Sequence, residues 1–450
     1  MVTTIKSPED APDISVIAVP DDQRMGKFSL TMAWWAVSSG LFFLVVPATL
    51  AIRFGTMNAI IGLLLSAISY GLLNSIIARF AIRTGLSGSV FSRILFGRSG
   101  STLATLIFFV TVVYYCVFEG SVIAIAIKHY FSQVSLDQAY LIVVVYSVIL
   151  IMGSIQNWLD KLNMLLMPIY LVGLAAVVWI AISKFGYNSA WLDLSPASGP
   201  VANGWWDCFT YYMGVWVLML FTWDYARFGR KEDTSYHASF NFGIPFYLLT
   251  FVINGVVGIF LAATIATQGE ISEVSVVLAI VELMGFLGLL FVWVSQTRIN
   301  TANFFLAATN LQTFLSRFSV KLPYVLCAVI SGIAVYGLMR LNVFHYILQA
   351  LAYQSIFVVA WVSVALAHIL SPKYRELFGD VIEYQEERIP AYNPGGLAAW
   401  LFAAFVGMVL LNVDNPAIAS FSAPASFLTA FLTYWLLLNS AKRHWFATAN

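Results

Sequence analysis

The sequence is poor in charge. Only 10% of its 450 residues are Asp, Glu, Lys or Arg, whereas a soluble protein carries roughly 25%. Hydrophobic residues make up 60% of the chain, and the mean hydropathy is +0.84. This composition excludes an ordinary soluble domain and predicts an integral membrane protein. The net charge of +1 gives no indication of a nucleic-acid partner, and none is expected.

Cysteine and the motifs of enzymes are also scarce. The three cysteines, Cys116, Cys208 and Cys327, lie in or beside apolar segments without a CxxC pair, which predicts buried thiols rather than disulfides or metal ligands. The sequence has no nucleotide-binding loop, zinc motif or nucleophile elbow, so we expect neither an enzyme nor a cofactor. The first 25 residues are polar, which speaks against a cleavable signal peptide.

Long apolar runs, by contrast, are abundant. A membrane span needs about 20 apolar residues, and by this measure the chain has about twelve transmembrane helices. We predict an all-α membrane protein with spans at 28–51, 58–80, 103–127, 138–155, 162–182, 209–222, 242–267, 275–294 continuing to about 315, 322–338, 343–370, 396–412 and 423–438.

The basic residues fix the expected orientation, because Lys and Arg concentrate in cytoplasmic segments. With the N-terminus inside, the cytoplasmic segments hold 18 of the 23 basic residues and the outer segments hold Arg53, Lys128, Lys184 and Arg340. The remaining one, Arg298, lies inside the eighth span. Both termini are therefore expected in the cytoplasm, and the protein in the cell (inner or plasma) membrane.

The first and sixth spans share an interruption. Ser38, Ser39 and Gly40 break the first apolar run, and Gly214 with the polar end at Thr222–Asp224 frames a short sixth span. Interrupted spans five helices apart are typical of transporters built from inverted repeats, where the broken ends expose backbone groups at mid-membrane. Small residues also occur at packed helix interfaces, which is the alternative.

A single carboxylate, Glu119, lies in the apolar run TVVYYCVFEGS. Tyr115 precedes it by four residues, so both side chains lie on one helix face. An ionisable group within a membrane span usually faces a bundle interior or a water-filled cavity. Glu119 is either a substrate ligand, a proton carrier or a structural carboxylate bound to a neighbour.

The second buried charge is Arg298, in the segment VSQTRINTAN. A span with this many polar side chains must face protein, ion or water. Arg298 either pairs with Glu119 or with helix-end carbonyls, or its guanidinium takes the place of a bound cation. Its polar neighbours are Ser295, Gln296, Thr297, Asn300, Thr301 and Asn303.

Two motifs then indicate a family. RTGLSGSVFSRILFGRSGS after the second span and DYARFGR after the sixth resemble the cytosine/purine permeases of the nucleobase:cation symporter-1 family, and the resemblance spans nearly the whole chain. It implies a leucine-transporter-like fold of two inverted five-helix repeats plus two C-terminal helices. The expected divisions are an N-terminal tail at 1–27, repeats at 28–183 and 205–370, a cytoplasmic loop at 371–393, two helices at 394–440 and a tail at 441–450.

The resemblance also implies a binding site between the first, third, sixth and eighth helices. The family's stacking aromatic falls on Tyr115 and its polar ligand on Glu119. The sixth-helix aromatic falls on Val215, which cannot stack, with Trp216 next to it as a replacement. Gln296, Asn300 or Asn303 is expected to read the opposite edge of the substrate.

The family's sodium site, carried over, uses the backbone carbonyls of Ala36 and Ser39 and two hydroxyls of the eighth helix. That pair falls between Ser295 and Arg298, and matching Asn303 to the family's Asn places it on Thr297 and Arg298. The pair is incomplete in each register. We therefore favour a proton over sodium as the coupling ion, with Arg298 or a proton on Glu119 replacing the cation.

These observations predict a monomeric secondary transporter that imports a planar nitrogen heterocycle by alternating access. A nucleobase such as cytosine or a purine is the first expectation. Thiamine or its pyrimidine precursor is the alternative, and allantoin and hydantoins remain open. A channel is disfavoured because the buried polar residues concentrate in three helices.

Overall fold

The computed structural model describes residues 18–152, 156–265, 274–341, 346–373, 376, 386–441 and 443–446. Helices account for nearly all regular structure in this part of the chain, which contains no β-strand. Several predicted features lie outside the described residues, namely the span ends at 155 and 267, the span start at 343, and residues 374–375 and 377–385 of the predicted loop at 371–393.

The first half of the chain forms seven α-helices and one short break. The first span is two helices, α1 and α2, separated by a 3₁₀ turn at Ala36–Ser39. The α-helical bounds are α1 Lys27–Trp35, α2 Phe42–Phe54, α3 Thr56–Thr84, α4 Gly88–Phe96, α5 Ser101–Tyr130, α6 Leu136–Met152 and α7 Gln156–Phe185.

The second half repeats the broken span. Here α8 and α9 are separated by a 3₁₀ turn at Met213–Trp216, and π-helical turns at His237–Asn241 and Leu248–Ile253 divide the next span. The bounds are α8 Gly204–Tyr212, α9 Val217–Ala226, α10 Thr234–Tyr236, α11 Ile244–Tyr247, α12 Asn254–Thr264, α13 Ser275–Met284, α14 Phe286–Ser316, α15 Tyr324–Met339, α16 Ile347–Leu370, α17 Pro394–Leu411, α18 Pro416–Ala419 and α19 Ser422–Asn439.

Seven helical segments of the described chain are long and apolar enough to cross a membrane. Two of them contain breaks, the first being Lys27–Phe54 and the other Lys231–Thr264. Leu136–Met152, Ser275–Met284 and Tyr324–Met339 are apolar but shorter. All three cysteines are free and buried, which confirms the prediction from their apolar surroundings.

The eighth predicted span differs from the structure. The sequence suggested one helix from 275 to about 315, but Gly285, with φ of 55°, separates α13 from α14. A positive φ is accessible to glycine at little cost and ends the first helix. The two helices are thus separate, and the polar segment VSQTRINTAN lies on α14 alone. The Gly- and Ser-rich stretch after α3 contains α4. Ser87 caps the N-terminus of α4 by accepting a hydrogen bond from the Val90 amide.

Hydrogen bonds between segments define two ends of the bundle. We call the end where α1 begins the proximal end. There Arg24 donates to the carbonyls of Ile82 and Gly229 at 2.7 and 2.6 Å, which ties the chain before α1 to the ends of α3 and α9. The hydrogen bond from Lys231 lowers the pKa of Asp21, which also pairs with Arg24.

The opposite, distal end carries its own links. Asp137 in the first turn of α6 pairs with Arg340 after α15 at 3.3 Å, and His129 at the end of α5 lies 3.5 Å from Glu282 on α13. The centre of the bundle is formed by α5 packed along α14. The two buried ionisable residues singled out in the sequence, Glu119 and Arg298, therefore lie on neighbouring helices.

Candidate functional site

The break between α1 and α2 frees backbone groups in the middle of the bundle, and side chains from other helices bind them. The Ser38 carbonyl accepts a hydrogen bond from Asn254 Nδ2 on α12 at 2.8 Å. The Leu41 amide donates to Gln296 Oε1 on α14 at 2.9 Å. Because an unpaired backbone group in a membrane interior costs several kcal/mol, these two side chains stabilise the broken conformation.

Side chains from other helices also bind the backbone carbonyls that the break between α8 and α9 leaves free. The Val215 carbonyl accepts from the Tyr70 hydroxyl at 3.0 Å, and the Gly214 carbonyl accepts from Gln354 Nε2 at 2.8 Å. Gly214 is required by packing, since a Cβ there would lie 2.5 Å from the Leu351 carbonyl oxygen. Helix α16 thereby lies directly against this break.

A cavity of about 290 Å³ lies between the two breaks, α5 and α14. It extends from mid-bundle toward the proximal end, because it reaches the proximal parts of α9 and α14. Its lining residues are Val37, Phe42, Phe43, Tyr115, Glu119, Ile151, Val215, Leu218, Phe221, Tyr225, Arg298, Ile299, Thr301, Ala302, Asn303, Phe305 and Leu306.

Tyr115 and Glu119 form one wall of this cavity. Glu119 is only 2% exposed and accepts a hydrogen bond from Gln296 Nε2. The Tyr115 hydroxyl accepts from Gln354 Nε2 at 3.2 Å, and its ring meets Phe42 edge to face at 5.5 Å. The cavity thus combines an aromatic surface with a carboxylate acceptor one helical turn away.

Two further polar side chains of α14 contact the first broken span. The Ser295 hydroxyl donates to the Ser39 carbonyl, and Arg298 Nη2 donates to the Ala33 carbonyl at 3.0 Å. Of the two pairings considered for Arg298, the structure has the one with a helix carbonyl, while Glu119 is bound by Gln296.

The other predicted polar residues of α14 face different neighbours. The Thr297 and Tyr146 hydroxyls lie 3.0 Å apart, and Asn300 Nδ2 donates to Ser147 Oγ at 3.3 Å. Both contacts are with α6. Asn303, in contrast, lines the cavity, and its Nδ2 has no hydrogen-bond partner in the described part of the chain.

The structure brings five of the predicted site residues to the cavity wall. They are Tyr115, Glu119, Val215, Arg298 and Asn303. Trp216 is not among them, because its ring packs edge to face on Tyr70 and Phe427. The other predicted residues, Ala36, Ser39, Ser295, Gln296, Thr297 and Asn300, lie behind the wall, bonded to backbone or to neighbouring helices.

Several lining residues escaped the sequence analysis. Phe42, Phe221 and Tyr225 supply rings to the cavity, but aromatic residues are 16% of the chain and single ones carry little signal. Gln354 could have been found, because amide side chains are rare in the apolar run of α16, where Gln349 is the other one. Such a residue in a span needs a polar partner, and here it has two.

Comparison with known proteins agrees with this architecture. Residues 18–437 match the sequence profile of a family described as permease for cytosine/purines, uracil, thiamine, allantoin. No curated protein sequence is significantly similar to the chain.

Among solved structures, Mhp1, a nucleobase-cation-symport-1 family transporter, is similar in fold. Its closed conformation with bromovinylhydantoin bound matches with a TM-score of 0.73 and 15% identity over 95% of each chain. Its inward-facing conformation matches with a TM-score of 0.75 and 14% identity over 98% of this chain and 96% of that one.

A manganese transporter of Eremococcus coleocola is more distantly similar, with a TM-score of 0.54 and 14% identity over 95% of this chain and 98% of the other. These likenesses confirm the predicted all-α, leucine-transporter-like fold. The family profile and the solved neighbours are transporters, so the expectation that the chain is not an enzyme is confirmed.

Proposed function

Since the chain belongs to the family of permeases for cytosine/purines, uracil, thiamine and allantoin, we propose that it imports a planar nitrogen heterocycle by alternating access. Our first candidate for the substrate is a nucleobase such as cytosine or a purine. Thiamine or its pyrimidine precursor, and allantoin or a hydantoin, are the alternatives within the same family.

The placement of Tyr115 and Glu119 on one cavity wall carries this proposal. An aromatic ring offers a flat face to a heterocycle, and offset stacking contributes roughly 0.5–1.5 kcal/mol beyond the buried area. Glu119 accepts hydrogen bonds from ring N–H or exocyclic amine groups. The cavity of about 290 Å³ is near the lower limit of ligand pockets, roughly 300 Å³, and suits one small ring system.

The opposite wall explains how a second ring surface is supplied although Val215 cannot stack. Phe221 and Tyr225 follow Val215 on α9 and line the same cavity. Phe42, just after the first break, packs edge to face on the Tyr115 ring at 5.5 Å and extends that aromatic surface. A planar substrate would therefore contact Tyr115 together with apolar side chains of both broken spans.

We favour a proton over sodium for coupling. The Ser39 carbonyl already accepts from Ser295, and the Ala36 carbonyl accepts from the Ser39 hydroxyl at 2.8 Å. Thr297 faces Tyr146 instead of α1. The backbone oxygens expected to bind sodium thus have protein donors, and Glu119 is the group in the cavity that can carry a proton.

Uptake into proteoliposomes tests the substrate and the coupling together. The panel contains cytosine, adenine, uracil, thiamine, allantoin and hydantoin, each with a sodium gradient or with a proton gradient. We expect at least one heterocycle to accumulate when the lumen is alkaline and no stimulation by sodium. Accumulation that requires sodium would overturn the coupling, and no uptake of any compound would overturn the substrate class.

A further inference from the structure

A second cavity, of about 460 Å³, lies at the distal end of the bundle. It is enclosed by the end of α2, by α8, by the beginnings of α16 and α19, and by the turn and short helix α18 between α17 and α19. In the part of the chain that the structure describes, the two cavities share no lining residue. A ligand bound here would contact both broken spans and the C-terminal helix pair.

Three charged residues line this distal cavity, and all of them lie at helix ends. Arg53 is in the last turn of α2, Asp207 is in the first turn of α8, and Asp414 follows the end of α17 by three residues. Arg53 and Asp207 both lie within electrostatic reach of the Tyr211 hydroxyl. None of the three charged side chains forms an ion pair with a described residue. The cavity therefore offers one cationic and two anionic groups to a ligand.

One buried hydroxyl in this cavity is also without a partner. The hydroxyls of Thr210, Ser355 and Ser420 donate to backbone carbonyls of their own segments. Ser422 is only 5% exposed and lines the cavity, and its Oγ makes no hydrogen bond within the described residues. Because buried polar groups normally have a partner, a ligand with an acceptor oxygen would satisfy it.

An apolar stripe on α17 leads to the same cavity. Phe402, Phe405 and Val409 are each at least half exposed, and their spacing of three and four residues places them on one helix face. Val413, four residues further on, is exposed and lines the cavity. Helix α17 is apolar and long enough to cross the membrane, so its exposed apolar face contacts acyl chains. A chain lying along this stripe ends beside the charged groups.

We propose that the distal cavity binds the headgroup of a phospholipid of the phosphatidylethanolamine class, which carries a phosphate and a primary ammonium group. Arg53 binds the phosphate, because its fork of N–H donors matches phosphate oxygens. Asp207 and Asp414 accept hydrogen bonds from the ammonium group, which has three N–H donors. Ser422 donates to a phosphate or ester oxygen, and an acyl chain follows the α17 stripe.

Charge complementarity selects this headgroup. A headgroup with a phosphate and no ammonium would place a further negative charge beside two carboxylates and a single arginine. A zwitterionic headgroup instead offers each side chain a group of opposite charge. The bound lipid would join the distal ends of both broken spans to the C-terminal helices. This site is separate from the central cavity and does not depend on the identity of the substrate.

Lipid binding to the purified full chain in detergent tests the site, with native mass spectrometry as the measurement. The matched pair is phosphatidylethanolamine and its N-acetyl derivative, which has the same acyl chains and phosphate but an amide in place of the ammonium group. We expect phosphatidylethanolamine to bind at least fivefold more tightly. Equal or tighter binding of the N-acetyl lipid would overturn the site.

Free phosphoethanolamine distinguishes a lipid from a soluble zwitterion. It carries the same two charged groups without acyl chains, so it should bind at least tenfold more weakly than the lipid. Binding as tight as that of the lipid would show that the α17 stripe contributes nothing, and the assignment to a phospholipid would then be wrong.

Three variants locate the preference. Asp414→Asn is expected to reduce the preference for phosphatidylethanolamine over its N-acetyl derivative at least threefold, because the ammonium group loses one carboxylate. Arg53→Gln should weaken both lipids by a similar factor, since both keep the phosphate. Asp193→Asn is the matched control, because Asp193 is exposed in the distal segment before α8 and lies outside the cavity.

The lipid-free variants should unfold at the temperature of the wild type, because the substituted side chains form no ion pair with a described residue. A preference that persists in Asp414→Asn, or that falls equally in Asp193→Asn, would refute the role of the carboxylates. Unchanged binding of both lipids to Arg53→Gln would refute the phosphate contact.

Discussion

Gln296 connects the two features around which the cavity is built. Its Oε1 accepts from the Leu41 amide at the first break, and its Nε2 donates to Glu119 on α5. A change at Glu119, whether a proton or a bound ligand, therefore reaches the unwound segment through a single side chain. We therefore expect the positions of α1 and α2 to change when a ligand or a proton binds at Glu119.

The first prediction concerns the charge of Glu119. Glu119→Gln keeps the size of the side chain but removes its ability to carry a proton. Uptake by the variant is expected to lose its dependence on an inward proton gradient, while exchange of substrate between the two sides persists. Proteoliposome uptake measures the dependence on the proton gradient, and counterflow measures the exchange, each at several pH values. A variant with the pH profile of the wild type would show that Glu119 is not the proton carrier.

The second prediction separates the ring of Tyr115 from its hydroxyl. Tyr115→Phe removes the hydrogen bond from Gln354, whereas Tyr115→Ala also removes the stacking surface. Losing a stacking contribution of about 1.4 kcal/mol corresponds to a tenfold weaker affinity. We expect the dissociation constant of the substrate to rise about tenfold in the Ala variant and less than threefold in the Phe variant. Equal effects would assign the role to the hydroxyl.

At the scale of helices, sequence patterns identified the two broken spans but not what holds them. Ser38, Ser39 and Gly40 are visible as polar and small residues in an apolar run. The partners of the breaks, Asn254 and Gln354, lie more than 100 residues away, and no local pattern joins them. In physical terms, a break is encoded locally, whereas the groups that bind its backbone are chosen by tertiary packing.

The same reasoning explains the cavity. The i to i+4 spacing placed Tyr115 and Glu119 on one face, the polar segment of α14 singled out Arg298, and the family match added Val215 and the substrate role of Asn303. Hydrophobic periodicity could not show that Trp216 turns toward Tyr70 and Phe427, because both orientations bury the ring. Nor could it show the division at Gly285, since α13 and α14 are both apolar.

The third prediction concerns the packing of α12 against α2. A Cβ at Gly258 would lie 2.1 Å from the Leu44 carbonyl oxygen, whereas a Cβ at Gly337 on α15 meets nothing within 4 Å. Gly258→Ala should therefore destabilise the protein by about 1–3 kcal/mol, the usual cost of overpacking. Gly337→Ala, in a helix exposed at that point, should be neutral or stabilise by up to about 1 kcal/mol.

Thermal unfolding in detergent measures both glycine variants. The contact is between backbone and side chain, so the Gly258 variant can relax only by separating the two helices. An unfolding temperature for Gly258→Ala equal to that of Gly337→Ala would contradict the close approach of α12 and α2.

At the scale of the whole molecule, the distal and proximal ends of the cavity are built differently. On the distal side, Gln354 joins α16 to Tyr115 on α5 and to Gly214 at the second break. On the proximal side, Phe221, Tyr225 and Leu306 line the cavity. The distribution of basic residues predicts that the proximal end faces the cytoplasm, and under that prediction the cavity is directed inward.

The last prediction tests that orientation with single cysteines. The native cysteines are buried, so they should not react with a membrane-impermeant thiol reagent, and unlabelled wild type is the baseline. Ser319→Cys lies in the exposed proximal turn after α14, and Ser198→Cys in the exposed distal segment before α8. We expect reagent added to intact cells to label Ser198→Cys alone, and reagent added to inverted vesicles to label Ser319→Cys alone.

Ala302→Cys, exposed within the cavity wall, should be labelled from the same side as Ser319→Cys and be protected by substrate, because the cavity reaches the proximal side in this state. Labelling of Ala302→Cys from the same side as Ser198→Cys would require the distal side to open at rest, and the link through Gln354 would then not close it.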